Sequence, residues 1–290
     1  RDELKQSTMQ QEFNSKQMRY FIGDVRDRDR LTMAMRGADY VIHAAALKQV
    51  PAAEYNPMEC IRTNIHGAEN VISAALDNNV EKVIALSTDK AANPINLYGA
   101  SKLASDKIFI AGNQLSGKNG PRFSVVRYGN VIGSRGSVVP LFRKLAAEGA
   151  TSLPITDERM TRFWITLEQG VCFVLSSLAL MGGGEIFVPR IPSMKVVELA
   201  HAVAPGLPCH SIGIRPGEKL HELMITEDDA RSTVALTDRY VICPSFFPAL
   251  RQRYLDLGAE PVPEGFGYTS HTNGEWLEIE QARQLLATGP

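Results

Sequence analysis

The residues best suited to acid–base chemistry lie together in one stretch, residues 87–102. Its second half contains Tyr98 and Lys102, which are four residues apart. On a helix this interval puts the two side chains one turn apart on the same face. A lysine ammonium at that distance favours the phenolate of the tyrosine, so the phenol could act as a base nearer neutral pH.

The first half of the same stretch is Ser87-Thr88-Asp89-Lys90. Either hydroxyl, that of Thr88 or that of Ser87, could hold a substrate oxygen that loses its proton. The alternative is an exposed helix that carries Tyr and Lys at this interval by chance. The four polar residues just upstream favour a reaction site, because they supply the hydroxyl that such a base needs.

The elements around this stretch predict where it lies in the fold. Residues 82–86 form a short apolar run of the kind found in a strand buried in a parallel sheet. Proline at position 94 disfavours helix in the residue before it, and a helical pattern begins at about Tyr98. Residues 87–90 should therefore lie at the carboxyl end of a strand, where open α/β sheets bind their ligands.

Strands and helices alternate along the rest of the chain, which predicts βαβ units and an α/β fold with a Rossmann-like, doubly wound parallel sheet. We expect strands at 19–23, 39–43, 82–86, 123–127 and 185–188, the last of which should complete the main sheet. We expect helices at 28–36, 57–78, from 98 onward, 140–148, 161–180 and within 189–206.

Composition limits the classes of function. The chain has 290 residues and a net charge of −1, which gives no electrostatic reason to expect nucleic acid or a membrane surface as a partner. No apolar run reaches the roughly 18 residues of a membrane span. Four widely separated cysteines and scattered histidines show no metal-ligand spacing, so we expect no metal site and a cytoplasmic location with reduced thiols: Cys60, Cys172, Cys209 and Cys243.

The glycine-rich turn of a dinucleotide-binding fold does not occur in this sequence. Glycines 182–184 follow a predicted helix and precede a strand, so they indicate a helix end. We expect the first strand, the glycine loop and the first helix to lie upstream of Arg1. The small residues 44–46 after a strand could let a flat ligand approach the backbone; the alternative is a tight strand–helix junction. Asp24 and Val25 after another strand would suit an adenine edge.

Long, ordered sequence blocks give this chain a recognisable family likeness. They are 1–6, 23–27, 44–48, 87–102, 127–131, 159–164, 191–194 and 214–219. In these blocks the chain resembles the inverting UDP-N-acetylglucosamine 4,6-dehydratases, extended short-chain dehydrogenases that begin the route to pseudaminic acid and related bacterial sugars. The resemblance implies a smaller α+β substrate-binding lobe, NADP as cofactor, UDP-N-acetylglucosamine as substrate and a homo-oligomer, with a product used for bacterial surface-glycan or flagellin sugars.

The resemblance also implies roles for individual residues. The cofactor-binding residues would be Arg1, Lys5, Asp24, Val25, Ala45, Asn64, Tyr98, Lys102 and Val131. The substrate-binding residues would be Lys48, Thr88, Asn130, Arg162, Arg215 and Glu218. Arg1 would hold the 2′-phosphate of NADP, since a guanidinium pairs well with phosphate. Arg162 and Arg215 would converge on the pyrophosphate, which accepts bidentate charge-assisted hydrogen bonds.

The pair Asp89-Lys90 selects one reaction within the superfamily, because related nucleotide-hexose dehydratases have Asp-Glu at this place. The implied catalytic residues are Lys90, Asp89, Tyr98, Thr88 and Lys102. Tyr98 would take the O4 proton as C4 is oxidised. Lys90, with a pKa lowered by desolvation or nearby cations, would remove the C5 proton, and Asp89 would protonate the departing 6-hydroxyl. Reprotonation of C5 from the other face would invert it, and hydride would return to C6.

Two other functions stay open at the level of sequence. One is a nucleotide-sugar 4-epimerase or reductase, which would need no Lys90 step and would release no water. The other is a non-catalytic module that binds sugar nucleotides. In the leading interpretation, residues 1–131 and 161–188 should form an NADP-binding Rossmann-like domain that lacks its N-terminal part. Residues 132–160 and 189–290 should form the substrate lobe.

Overall fold

The computed structural model describes residues 2–134 and 136–288 of the chain. Arg1, for which the sequence predicts a phosphate contact, lies outside the described residues. The core is a seven-stranded sheet with helices on both faces. Its first half is parallel and carries the predicted reaction site at the carboxyl ends of its strands.

The helices account for most of the regular structure. They are α1 (Glu3–Phe13), α2 (Arg28–Ala34), α3 (Val50–Tyr55), α4 (Pro57–Ile61), α5 (Gly67–Asp77), α6 (Leu97–Ser116), α7 (Val138–Ala147), α8 (Leu167–Leu180), α9 (Val196–Val203), α10 (Glu227–Ala230), α11 (Pro248–Asp256) and α12 (Ile279–Thr288). A π-helical turn, Arg62–His66, joins α4 to α5, and a 3₁₀ turn, Asp89–Ala91, follows the second strand.

The strands are mostly short. They are β1 (Tyr40–His43), β2 (Lys82–Thr88), β3 (Arg122–Tyr128), β4 (Asn130–Val131), β5 (Leu153–Ile155), β6 (Thr161–Ile165), β7 (Ile186–Pro189), β8 (Ser193–Lys195), β9 (Cys209–Ser211), β10 (Leu223–Ile225), β11 (Thr233–Ala235), β12 (Arg239–Ile242), β13 (Glu260–Pro261) and β14 (Tyr268–Thr269).

The main sheet has the order β1-β2-β3-β7-β12-β11-β13. Strands β1, β2, β3 and β7 run parallel, with helices in the connections between them, so the predicted α/β class is confirmed. Beyond β7 the sheet continues through three antiparallel strands. The prediction that the strand at 185–188 completes the sheet is therefore wrong, because the antiparallel edge is built from residues far along the chain.

Alternation along β2 explains why helices cover both faces of the sheet. Val83 and Ala85 point into a core shared with α5 and α6. Ile84, between them, points into a second core that includes residues of α8 and α11. Because successive side chains of a strand face opposite ways, a strand with apolar residues at every position needs cover on both sides.

Two predicted elements differ from the structure. Residues 19–23 form no strand, because a strand needs a hydrogen-bonded neighbour and the part of the chain that is described offers them none. The predicted helix at 161–180 begins only at Leu167. Its first five residues form β6 instead, which pairs with β4 and β8. Thr166 then caps α8 by accepting a hydrogen bond from the backbone of Gln169 at 3.1 Å.

The remaining strands build small sheets beside the main one. These are β4-β6-β8, β5-β9 and β10-β14. The predicted division into a cofactor domain and a substrate lobe stays a prediction. The four cysteines are free: Cys60 and Cys243 are buried, Cys209 is half-buried and Cys172 is exposed. Across residues 2–134 and 136–288, no helix is long and apolar enough to cross a membrane.

Candidate active site

The site begins where β2 ends and the 3₁₀ turn starts. The Thr88 hydroxyl donates a hydrogen bond to Asp89 Oδ1 at 2.9 Å and accepts one from the Lys90 backbone at 3.4 Å. The neighbouring Ser87 hydroxyl points to the other face of the sheet and donates to Asp106 Oδ2 at 2.8 Å. Strand alternation thus decides between the two hydroxyls, and Thr88 is the one that faces the reaction site.

Helix α6 packs directly on the 3₁₀ turn and brings Tyr98 to it. Asn96 caps the helix by accepting a hydrogen bond from the Gly99 backbone at 2.7 Å. A Cβ atom at Gly99 would overlap the carbonyl oxygen of Lys90, so only glycine allows this approach. Gly99 therefore lets helix α6 come close enough for its neighbour Tyr98 to reach the end of β2.

The Tyr98 phenol is hydrogen-bonded to Thr88, but its pKa differs from the prediction. Burial raises the pKa of Tyr98 to about 12, against the lowering effect of the Lys90 ammonium and the Thr88 hydroxyl. Lys102 is buried and donates from Nζ to the Leu86 carbonyl at 2.8 Å. Burial lowers the pKa of Lys102, although Asp106 acts to raise it. The predicted lowering of the Tyr98 pKa is therefore wrong for this structure, since burial outweighs the nearby cation.

Lys90 lies between two carboxylates at the centre of the site. Its Nζ atom is 3.0 Å from Asp89 Oδ1 and 3.2 Å from Glu222 Oε1. The two acids are almost completely inaccessible, with side chains 0% and 2% exposed, whereas that of Lys90 is 26% exposed. The ammonium group is thus held between two buried acids, while the Lys90 side chain as a whole is partly exposed.

The charges around Lys90 reverse the predicted direction of its pKa. Burial lowers the pKa of Lys90, but Asp89 and Glu222 outweigh it, and the net pKa is raised. The expectation of a lowered pKa is therefore wrong, because the site places two anions beside the amine. Burial and the charge of Glu222 raise the pKa of Asp89. The pKa of Glu222 is lowered: burial opposes this, but the cations of Lys90, Arg162 and Lys219 prevail.

Arg162, on β6, braces the loop that carries Glu222. Its side chain is 6% exposed and donates to the carbonyls of Thr161, Leu220 and Lys219 at 2.7, 3.1 and 2.9 Å. Its Nε atom is 3.5 Å from Glu222 Oε1. These donors of Arg162 are used inside the protein, and Arg215 is exposed. A role for either in binding pyrophosphate stays a prediction.

The loop before β10 is tied to the segment after β2 by two further contacts. Lys219 Nζ donates to the Ala92 carbonyl at 2.6 Å, and Asn96 Nδ2 donates to the Gly217 carbonyl at 2.7 Å. Glu218 Oε1 lies 3.8 Å from Arg162, and its Oε2 atom is buried without a hydrogen-bond partner among the described residues. Of the predicted substrate residues, the structure therefore brings Arg162 and Glu218 to the catalytic cluster, in addition to Thr88.

Asn64 lies on the π-helical turn and holds the segment that follows β1. Its Oδ1 accepts from the Leu47 backbone at 2.8 Å, and its Nδ2 donates to the Leu47 carbonyl at 3.0 Å and to Ser101 at 2.9 Å. Ala45 and Lys48, in the same segment, are exposed. This arrangement leaves a strip of accessible backbone beside the end of β2, and contacts of these residues with ligands stay predictions.

The other predicted ligand-binding residues lie around the cluster. Asn130 and Val131 are half-buried in β4 and pair with Trp164 and Ile165. Asp24 pairs with Arg26 at 3.0 Å. The carbonyl of Val25 accepts a hydrogen bond from Asn70 at 3.0 Å, and Lys5 is exposed on α1. The contacts of these residues with cofactor or substrate stay predictions.

Sequence reasoning missed two residues of the cluster, Glu222 and Lys219. Both lie in a polar segment directly before the apolar strand β10. The feature of the sequence that could have indicated a role was the acidic residue Glu222 just before a buried strand. No group of three or more His, Cys, Asp or Glu side chains in the described ranges is arranged to hold a metal ion. The chemistry that the cluster can perform is proton transfer by an amine, two carboxyls and a phenol.

Comparison with known proteins places the chain in a family. A family model described as "Polysaccharide biosynthesis protein" matches residues 1–244. The chain belongs to this family. A curated relative from Campylobacter jejuni (strain 81-176), named UDP-N-acetylglucosamine 4,6-dehydratase (inverting), is 60% identical over 291 residues, covering 99% of this chain and 87% of the relative. The resemblance inferred from sequence is thereby confirmed.

Members with other names are also similar to this chain. The UDP-glucose 4-epimerase of Rickettsia canadensis is 41% identical over 292 residues, which cover 99% of this chain and 85% of the relative. The dTDP-glucose 4,6-dehydratase DesIV of Streptomyces venezuelae, solved with NAD and TYD bound, has a TM-score of 0.65 at 24% identity over 71% of this chain and 70% of its own. This likeness confirms the Rossmann-like fold.

Proposed function

We propose that this protein is a hydro-lyase that converts UDP-N-acetylglucosamine into a UDP-4-keto-6-deoxy sugar with inversion at C5. The observation that carries this proposal is the position of Lys90 between Asp89 and Glu222, since a base beside a proton-holding acid is what elimination of water requires. The 60% identity with the inverting dehydratase of Campylobacter jejuni supports it.

The fold implies a nicotinamide cofactor, and the residues at the strand ends fit one. Residues 44–46 follow β1 with small, exposed side chains, so a planar group can approach the backbone there. Lys102 and Tyr98 would hold its ribose, and Asp24 and Val25 its adenine. Lys5, with Arg1, would select NADP over NAD. When bound, the nicotinamide accepts a hydride from C4 of the sugar and later returns it to C6.

Tyr98 and Thr88 act on the 4-hydroxyl of the sugar. The Thr88 hydroxyl orients that oxygen, and the Tyr98 phenolate removes its proton as C4 is oxidised. The pKa of about 12 means that Tyr98 is a strong base present as a small phenolate fraction at neutral pH. The Lys90 ammonium stabilises this phenolate, so Lys90 contributes to the first step as a cation before it acts as a base.

Asp89 and Lys90 act together on C5 and C6. The raised pKa of Asp89 favours transfer of a proton from Lys90 across their 3.0 Å hydrogen bond, whereas the raised pKa of Lys90 opposes it, so the neutral pair forms as a minor species. The resulting pair, a carboxylic acid beside a neutral amine, holds the acid and the base that elimination needs without any net change in charge. Lys90 then removes the C5 proton, and Asp89 protonates the departing 6-hydroxyl, which leaves as water.

A second candidate function, nucleotide-sugar 4-epimerase, has support from the 41% identity with the Rickettsia canadensis epimerase. Epimerisation uses Tyr98, Thr88 and Lys102, with Lys90 as a cation beside Tyr98, but it gives Lys90 no role as a base. The buried acids around Lys90 therefore favour dehydration. Simple binding of a sugar nucleotide without turnover would leave the whole acid–base cluster unused.

The decisive experiment follows UDP-N-acetylglucosamine in deuterated water by NMR, with the full-length protein and NADP. We expect a 4-keto-6-deoxy product with deuterium at C5 and inverted C5 couplings. A 4-epimer without loss of water would support the epimerase instead. Binding without turnover would support a binding module. A parallel assay with NAD tests the cofactor preference.

The setting of the reaction is also part of the proposal. The family description, polysaccharide biosynthesis, suits a product that enters bacterial surface glycans or flagellin sugars. We propose that the protein works as a homo-oligomer in the cytoplasm. Sedimentation of the purified full-length protein tests the first point, and fractionation of cells tests the second.

A further inference from the structure

Glu222, like Lys219, is a residue of the cluster to which neither the sequence nor the family resemblance assigned a role. It lies directly before β10, and its backbone N–H donates to the Ser270 hydroxyl at 2.9 Å, which fixes the start of that strand. Its side chain is 2% exposed. Its Oε1 atom is 3.2 Å from Lys90 Nζ, and its Oε2 atom is buried with no hydrogen-bond partner in the described part of the chain.

Building on the proposed dehydratase function, we propose that Glu222 is a positioning residue whose fixed negative charge stabilises the ammonium that forms on Lys90 during elimination. In this step the C5–H bond breaks, its proton forms the new N–H bond on Lys90, and its electron pair becomes part of the C5=C6 double bond. The C6–O bond breaks, and the proton of Asp89 leaves with that oxygen as water.

The charges in this step change at two of the three groups. Lys90 goes from neutral to positive and Asp89 from neutral to negative, while Glu222 stays negative throughout. Glu222 disfavours the carboxylate that forms on Asp89, but its direct contact is with Lys90, at 3.2 Å. A charge that is already in place against the forming cation therefore stabilises the transition state more than the starting state, which is the condition for faster chemistry. At 3.2 Å and almost excluded from water, this interaction is only weakly screened.

Three cations face Glu222 and favour an anion at this position, and two acids oppose it. Lys90 and Asp89 face it from the 3₁₀ turn, Arg162 faces it from β6 at 3.5 Å, and Lys219 acts on it from its own loop. Glu218, on the same loop, contacts Arg162 at 3.8 Å. When Asp89 is protonated and Lys90 is neutral, Arg162 and Lys219 are two cations against one other anion, Glu218, so Glu222 remains ionised.

If Glu222 served only to hold the loop before β10, its ion pair with Lys90 would not be needed. The loop is already held by Arg162 through the Leu220 and Lys219 carbonyls and by Lys219 through the Ala92 carbonyl. The contact of Glu222 with Lys90 is additional to these. The test must therefore measure the proton affinity of Lys90 itself, which a role limited to holding the loop would leave unchanged.

The first measurement is competitive acetylation of lysines as a function of pH, with peptide mass spectrometry, on the full-length protein without substrate. In Glu222→Gln, the pH at which Lys90 begins to react should fall by roughly 1–3 units, because an anion next to the amine has been removed. The exposed Lys107 is the internal reference and should not change. An unchanged Lys90 profile would overturn the proposal.

The second measurement is the pH dependence of keto-sugar formation. Asp89 and Lys90 titrate as a coupled pair, and Glu222 raises the proton affinity of both. Both limbs of the kcat profile should therefore move to lower pH in Glu222→Gln, with kcat reduced roughly 10- to 100-fold. Glu222→Asp should recover part of the rate. A reduced kcat with unmoved limbs, or a change in KM alone, would mean that Glu222 has a structural role only.

The acetylation experiment also gives an answer if Glu222→Gln does not fold or if the wild-type protein forms no keto-sugar. If Glu222→Gln does not fold, Glu222→Asp gives the acetylation test, because its charge is one methylene farther from Lys90 and should shift the profile by a smaller amount. If the wild-type protein forms no keto-sugar, the dehydratase function fails. The acetylation result would still show whether Glu222 sets the proton affinity of Lys90.

Discussion

Lys90 Nζ lies 3.0 Å from Oδ1 of Asp89, its immediate neighbour in the chain, at the end of a parallel strand. Adjacent residues of a strand would point to opposite faces, but the 3₁₀ turn that starts here bends the chain so that the two side chains meet. One acid and one base are thereby held in contact. Asp89 and Lys90 should act in different steps of the reaction, so a variant of each residue alone should have a different effect.

The variants Asp89→Asn and Lys90→Met should stop elimination at different points. Each should lower keto-sugar formation by roughly 10²- to 10⁴-fold, the usual contribution of a general acid or base. In deuterated water, Asp89→Asn should return substrate labelled at C5, because Lys90 can lose its proton to solvent in place of Asp89 and still exchange the C5 proton. Lys90→Met should return substrate without label. NMR of the recovered sugar nucleotide distinguishes the two, and Lys107→Met on the exposed face of α6 is the control. Label at C5 with Lys90→Met would identify another base.

Gly99 should be required for the placement of Lys90. A Cβ at position 99 would overlap the Lys90 carbonyl, so Gly99→Ala must displace either α6 or the 3₁₀ turn. We expect roughly a 10²-fold loss of kcat, the usual effect of misplacing a catalytic group by about 1 Å. Gly170→Ala on α8 is the matched control, because its Cβ would meet no atom within 4 Å. It should keep full activity and raise the unfolding free energy by up to about 1 kcal/mol.

The buried pair of Asp106 and Arg127 should be a main source of stability behind the site. Their side chains are 1% and 3% exposed and lie 3.3 Å apart. Asp106→Leu leaves a buried guanidinium without its nearest carboxylate and should cost about 3–5 kcal/mol in urea denaturation. Adding Arg127→Met should restore much of this loss. The exposed Asp77, 3.0 Å from Arg28, is the control, and Asp77→Asn should cost about 0–1 kcal/mol. Equal losses at both sites would contradict this account.

His43 should make the protein less stable in acid. It is buried at the end of β1 against Phe109, and burial, with the nearby Lys102, lowers the pKa of His43 to about 3. The folded protein keeps this ring neutral, whereas the unfolded chain protonates it below about pH 6.5. Stability should therefore fall as pH drops from about 6.5 towards 3, by up to about 1.4 kcal/mol per pH unit.

His43→Leu tests this dependence. Denaturant unfolding at several pH values between 4 and 7 should show a weaker loss of stability in acid than for the wild type. The exposed His66 is the control, and His66→Leu should keep the wild-type slope. A wild-type slope in His43→Leu would mean that other groups cause the acid sensitivity.

Much of the fold and part of the site followed from sequence patterns. The run before Ser87 predicted a buried strand, and the Tyr98–Lys102 interval predicted a helix. Both are present, as β2 and α6. The strand predicted at 19–23 and the start of the helix predicted at 161–180 are wrong. Strand pairing depends on partners distant in the chain, and a short apolar run such as Thr161–Ile165 is compatible with either state.

The sequence by itself determined the chemical groups of this protein: an acid, an amine, a phenol and a hydroxyl within one short stretch, and the order of elements that puts them at a strand end. Only the tertiary structure decided their protonation. Glu222 lies 132 positions after Lys90 in the sequence, yet its carboxylate is 3.2 Å from that amine. Local spacing cannot predict such a contact, because the pKa values of buried groups depend on every charge that the fold brings near them.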